Sequence, residues 1–165
     1  GKPKKVKLNR KQRRFELAGG GKLARDRAPF PESRDIEILA RVRRLAPSGV
    51  IVAQGGTALG YSLYARGGKL VFATRHEGEL SEVSTSRDVL SGRDSAEIAV
   101  SFKTSGAVTL SLNGQAVAEG RVPGAIRMPV DGLEVGRDDG GAVGSYSAPF
   151  VFEGEIESVL IELSK

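Results

Sequence analysis

The sequence predicts an all-β fold, an antiparallel sandwich of two sheets. Three observations lead there. Apolar and polar residues alternate with a period of two along most of the chain, 22 of the 165 residues are glycines that punctuate the alternation, and no stretch sustains a helical period. A chain of this length suits one domain with a sizeable core.

The elements follow in order. Phe15-Glu-Leu17 supplies a first edge strand. Residues 34–43 place Ile36, Ile38, Ala40 and Val42 on one face and Asp35, Glu37, Arg41 and Arg43 on the other. Pro47-Ser-Gly49 turns the chain into the apolar residues 50–53, and Gly55-Gly56 ends that strand. Residues 61–66 and 69–75 flank Gly67-Gly68, a two-residue hairpin turn, because glycine takes positive φ without steric cost. Residues 80–85 form a weaker strand, and residues 88–94 a polar connection. Residues 97–103 follow, with Ile98, Val100 and Phe102 on one face. Val108, Leu110 and Leu112 then alternate up to Asn113-Gly114, the strongest short hairpin signal in the chain, from which residues 115–122 return. Pro123-Gly124 and Met128-Pro129 break the chain before a strand at residues 133–136. The last strand, residues 155–163, carries Ile156, Val159, Leu160, Ile161 and Leu163, a mixture that reads as burial on both sides. About ten or eleven strands result, and the first and last are expected to be neighbours.

Charge is unevenly placed. The net +5 conceals a run at residues 1–14 with eight basic groups (Lys2, Lys4, Lys5, Lys7, Arg10, Lys11, Arg13, Arg14) and no acid; the remainder holds 17 basic and 20 acidic groups. Residues 1–13 therefore read as a basic flexible linker and residues 14–165 as the domain. A polyanion-binding arm is the alternative, but such an arm calls for a basic folded face or stacking aromatics, and Phe15 is the nearest ring. Neither nucleic acid nor membrane is expected as a partner. There is no Cys, hence no disulfide and no thiolate metal site, and no apolar run long enough to span a bilayer. Gly1 in place of Met reads as the start of an excised piece of a longer protein.

Certain motifs narrow the class. Gly49-Val-Ile-Val-Ala-Gln-Gly-Gly56, Gly60-Tyr-Ser-Leu-Tyr64, the Leu110-Ser-Leu-Asn-Gly114 hairpin, Val135-Gly-Arg-Asp138 and Phe152-x-Gly154-x-Ile156 occur in this order over residues 33–163. Together they resemble the C-terminal jelly-roll domain, concanavalin A-like and laminin-G-like, of bacterial arylsulfatases. The resemblance implies an accessory domain beside an upstream sulfatase catalytic domain, in a periplasmic or secreted parent that hydrolyses sulfate esters with a formylglycine and a calcium ion. The formylglycine motif C/S-x-P-x-R is not in this chain: Ser147-Ala-Pro149-Phe-Val151 has Val where Arg is required. His76 is the single histidine, so a histidine-rich anion pocket cannot be built, and no catalytic residue is assigned.

Four groups of residues invite chemistry. Glu153, Glu155 and Glu157 alternate and could share a strand face. Their i, i+2 spacing of about 6.5–7 Å approaches the roughly 5–5.5 Å of a retaining glycosidase pair. Without Trp to line a sugar cleft, a solvated acidic stripe is the better reading. Asp138 and Asp139 sit in a glycine-rich loop with Asp131 nearby, a composition suited to calcium or to turn capping by Asp138; no other cofactor is expected. Tyr61 and Tyr64 have opposite parity, so one faces the core and the other the exterior. Tyr146, in its own loop, is the best exposed candidate for stacking on a sugar, with Tyr64 second. Phe150 and Phe152 share parity and read as core plugs. His76 reads as an exposed hydrogen-bonding residue.

The leading expectation is a non-catalytic accessory domain of an arylsulfatase-type enzyme, structural or in weak contact with a glycan. A free-standing lectin-like carbohydrate-binding module is the alternative. A glycosidase using the glutamate stripe and a polyanion binder using the basic run come behind.

Overall fold

A computed structural model describes residues 7–165, so Lys2, Lys4 and Lys5 of the basic run lie outside the described residues. Among those described there are twelve strands and no α-helix: β1 (Arg14–Leu17), β2 (Lys22–Leu23), β3 (Ile36–Arg44), β4 (Gly49–Gly55), β5 (Gly60–Arg66), β6 (Lys69–His76), β7 (Glu79–Ser84), β8 (Ala96–Phe102), β9 (Ala107–Leu112), β10 (Gln115–Arg121), β11 (Leu133–Val135) and β12 (Glu155–Leu163). They form two six-stranded sheets. The first has the order β1-β12-β3-β8-β9-β10 and the second β2-β11-β4-β5-β6-β7.

Alternation places one face of each strand in the core. Ile36, Ile38, Ala40 and Val42 point inward from β3, and Ile98, Val100 and Phe102 from β8. Leu63, Leu70 and Phe72 meet them from the second sheet. Phe72 and Phe102 approach across the interface at 6.1 Å between ring centroids. Burying a large apolar side chain of this kind is worth about 1.5–3 kcal/mol.

Both expected hairpins form. Asn113 and Gly114 take φ of 50° and 82°, the double positive φ of a type I′ turn, and the Asn113 side chain accepts the Glu97 amide at 2.9 Å. The first and last strands are neighbours, with Arg14 opposite Glu162 and Leu17 opposite Val159.

The last strand corrects one expectation. Ile156, Val159, Ile161 and Leu163 all lie in the core, although their spacing breaks strict alternation. A bulge between Ile156 and Ser158 absorbs the extra residue, and only Leu160 turns outward. Glu155 and Glu157 both reach Arg43, at 3.3 and 3.4 Å. These two members of the stripe are thus an exposed ion-pair network.

Residues 9–13, read from the sequence as linker, are held. Asn9 donates to Arg27 O at 3.2 Å, Arg34 donates to Arg10 O at 2.7 Å, and Leu163 donates its amide to Arg13 O at 2.8 Å.

Candidate functional site

The outer face of the second sheet carries small residues at its centre. Ala53, Ser62 and Ala73 stand in register across β4, β5 and β6, with Glu134 of β11 at one end of the row and Glu82 of β7 at the other. Small side chains allow residues 136–154, which join β11 to β12, to cross the sheet at close range. Ser62 donates to Val143 O at 2.6 Å, Arg75 to Ala142 O at 3.3 Å, and Arg66 to Ser145 O at 2.6 Å. Gly144 is needed there, because a Cβ would stand 2.5 Å from the Tyr146 ring and 2.6 Å from the Tyr64 ring.

Three rings pin this strap to the sheet. Tyr64 meets Tyr146 edge-on at 4.9 Å and Phe150 edge-on at 6.1 Å, while Tyr146 and Phe150 stack at 5.0 Å. The Tyr64 hydroxyl donates to Glu82 and accepts the Ser145 amide at 3.3 Å. The Tyr146 hydroxyl donates to Asp138 Oδ2 at 2.5 Å, and the Val143 amide reaches the same oxygen at 3.1 Å. Burial raises both phenols well above the ordinary tyrosine range, and the carboxylate beside each raises it further. Burial also raises the Asp138 carboxyl, against the hydrogen bond from Tyr146, which lowers it.

This arrangement corrects several sequence expectations. Tyr61 and Tyr64 do face opposite ways. Tyr61 lies in the core, its hydroxyl on Gln54 Oε1 at 2.7 Å. Tyr64 faces the other way yet is only 1% exposed, because the strap covers it. Tyr146 is half-buried between two rings rather than standing free in its loop. Phe152 plugs the main core, but Phe150 belongs to the outer cluster: its φ of 44° breaks the alternation on which shared parity depended. Asp138 is 2% exposed and ties the strap to itself, whereas Asp139 points to Arg137 and Lys22. Among the described residues no three His, Cys, Asp or Glu side chains group as metal ligands. His76 is half-buried at the end of β6, with Nδ1 shut from solvent and without a hydrogen-bond partner.

Beside the strap lies a cleft of about 440 Å³. Lys22 of β2, Ala53 of β4 and Glu134 of β11 line it together with Asp131, Asp138 and Asp139. Lys22 Nζ lies 3.2 Å from Asp139 and 3.4 Å from Glu134. Arg137 donates to Asp139 Oδ1 at 2.6 Å, and the Asp139 amide donates to Glu134 Oε1 at 2.7 Å. The hydrogen bond from Arg137 pulls the Asp139 carboxyl down to about 2. Burial raises that of Glu134, whose Oε2 is closed to solvent and accepts no hydrogen bond. Asp131, Glu134 and Asp139 face two cations here, while Asp138 turns its carboxylate into the strap, so the acceptors open to a ligand are those of Asp131 and Asp139.

The sequence missed Lys22 and Glu134 as site residues. Glu134 alternates outward between Leu133 and Val135, but nothing local shows that a two-residue strand at residues 22–23 will pair beside it.

No family model matches the chain, and no curated protein matches it. Solved structures do. Domains LG4-5 of the mouse laminin alpha1 chain superpose with a TM-score of 0.66 at 15% identity, over 93% of this chain and 42% of that one. The CBM40 of Ruminococcus gnavus IT-sialidase, bound to alpha2,3 sialyllactose, gives 0.61 at 15% identity, over 92% and 89%. Leech intramolecular trans-sialidase, complexed with 2,7-anhydro-Neu5Ac, gives 0.62 at 13% identity, over 92% and 25%. The chain thus has the jelly-roll sandwich fold of laminin G and CBM40 domains. The laminin-G side of the sequence resemblance stands; none of these three neighbours is a sulfatase.

Proposed function

We infer that this chain is a lectin-like carbohydrate-binding module whose site is the cleft lined by Lys22, Asp131, Glu134 and Asp139. The observation that supports the reading is the likeness to CBM40, which spans nearly all of both chains and includes a structure holding sialyllactose. The cleft adds chemistry of the right kind. Carboxylates that converge on a concave polar surface accept hydrogen bonds from the vicinal hydroxyls of a sugar. Their excess negative charge favours a neutral or amino sugar over the sialic acid of the neighbour, since a like charge in such a site is repelled.

A glycan array probed with the full chain tests this. Binding to neutral or amino sugars is expected, falling about 10-fold or more in Asp131→Ala or Asp139→Ala, as the loss of one charge-assisted hydrogen bond implies. Silence across the array, or binding unchanged in both variants, overturns it. Attachment to a sulfatase catalytic domain is the second reading, supported by the sequence motifs at Gly49–Gly56 and Phe152–Ile156. Its test is a C/S-x-P-x-R motif encoded in the same reading frame.

A further inference from the structure

Residues 7–34 hold nine basic and three acidic groups, whereas residues 35–165 hold 13 basic and 17 acidic. Such segregation matters only if the basic groups are presented together, and the fold does this. The Arg10 guanidinium lies over the Phe30 ring, 4.3 Å from its centroid. Arg34 donates to both Arg10 O and Phe30 O, which ties the basic run to the connection between β2 and β3. That connection sets Arg27 beside the run, its carbonyl accepting from the Asn9 side chain at 3.2 Å.

These exposed cations outnumber the acids among them and make no ion pairs. Among the described residues, Lys7, Arg10, Lys11, Arg13, Arg14 and Arg27 are exposed, and none has a carboxylate within 4.0 Å, whereas Arg41, Arg43, Lys103, Arg127 and Arg137 all do. Of the three acids in the segment, Glu32 is engaged by the Met128 amide at 2.9 Å, leaving Glu16 and Asp26. Glu162, opposite Arg14 on β12, is the acid contributed by the neighbouring strand. A concavity of about 340 Å³ opens beside these residues, with Asn9, Gln12, Glu16, Asp26 and Arg27 as its polar lining and Phe15, Leu17 and Leu23 as its apolar lining.

We propose that this basic segment is a docking face for an acidic polysaccharide, a chain bearing sulfate or uronate groups. The exposed cations neutralise successive anionic groups, and the polar concavity accepts a sugar residue between them. Because the basic run is already tethered, little ordering opposes binding. A nucleic acid fits less well. Phe15 and Phe30, the two aromatic residues of the segment, are 3% and 8% exposed, so no ring is free to stack on a base. Among the described residues no helix stands ready to enter a duplex groove. The choice of a glycan among polyanions leans on the carbohydrate-binding reading above; the site itself does not involve the acidic cleft.

The test uses the full chain and measures affinity against salt concentration for heparin, a polyuronate, a neutral polysaccharide, and single- and double-stranded DNA of matched charge. Tight, salt-sensitive binding to heparin or the polyuronate is expected. The combined variant K11Q/R13Q/R14Q/R27Q changes exposed side chains. It should lose affinity more than 10-fold and flatten the slope of log K against log salt by about 3, if each lost contact removes about 0.7–0.9 as counterion release describes. Phe30→Leu keeps every charge but removes the ring beneath Arg10; it should weaken binding a few-fold with the slope unchanged. Unaltered affinity in the combined variant, equal binding of the neutral polysaccharide, or preference for DNA at matched charge each overturns the proposal. The Asp131→Ala and Asp139→Ala variants should leave heparin binding intact. Loss of neutral-sugar recognition alone therefore counts against the cleft and not against this face.

Discussion

The bond between Tyr146 and Asp138 is expected to fix the strap's own conformation over the second sheet, and Tyr146→Phe removes it, together with the contact from the Val143 amide at 3.2 Å. The substitution keeps the ring that stacks on Phe150 and meets Tyr64, and it removes one hydroxyl. That hydroxyl donates at 2.5 Å to a carboxylate only 2% exposed, so the bond is charge-assisted and shielded. Bonds of that class contribute about 1.5–3 kcal/mol. Asp138 keeps the Val143 amide at 3.1 Å, which places the expected loss in the lower half of the range, about 1.5–2 kcal/mol. For a domain of this size that lowers Tm by about 3–8 °C. Asp138→Asn should cost less, because the amide oxygen still accepts and an unfavourably buried charge is removed. A double-mutant cycle should show coupling of about 1 kcal/mol or more. Urea denaturation gives these energies, and faster hydrogen exchange at the Val143 amide would localise the effect. A loss below about 0.5 kcal/mol for Tyr146→Phe, or simple additivity in the cycle, would refute the reasoning.

Three further outcomes are expected. Phe72→Ala removes the ring that meets Phe102 across the sandwich and should cost about 3–5 kcal/mol by denaturation, a smaller loss meaning that the sheets do not lock through this pair. Gly144→Ala drives a methyl group into the Tyr64 and Tyr146 rings and should cost about 1–3 kcal/mol, with faster hydrogen exchange confined to residues 137–150. The two adjacent aspartates should titrate in opposite directions from the ordinary value of 3.8, as carboxyl NMR resonances would show. Asp138, raised by burial, contributes stability that is complete below 3.8 and lost as pH rises through its folded value; Asp139, lowered to about 2 chiefly by Arg137, contributes above 3.8 and loses it as pH falls towards 2.

The strands were legible wherever one face is dry. Ile36 to Val42 and Val108 to Leu112 alternate cleanly, and Asn113-Gly114 marks its own turn through backbone conformation alone. Legibility ended where local pattern and tertiary context part. Phe150 and Phe152 look like one strand face in sequence, but a left-handed residue sends one ring to each side of the sheet. Ile156 and Val159 look like opposite faces, but a bulge returns both to the core. The cleft was readable only in part: Asp138 and Asp139 announce themselves in a glycine-rich loop, whereas Lys22 gains meaning only from a cross-strand neighbour more than a hundred residues away. Exposure of Tyr64 was misjudged because alternation reports which face a side chain takes, not what later folds over it.

The position of β12 between β1 and β3 bears on how the molecule comes into being. Of the twelve strands a ribosome delivers that one last, yet it fills an interior place in its sheet. Until residues 155–163 emerge, β1 has no partner there and β3 exposes a bare rim of amide and carbonyl groups. Completion is therefore expected to be a late, all-or-none event, and a nascent chain halted just short of it should depend on chaperones that shield unpaired edges.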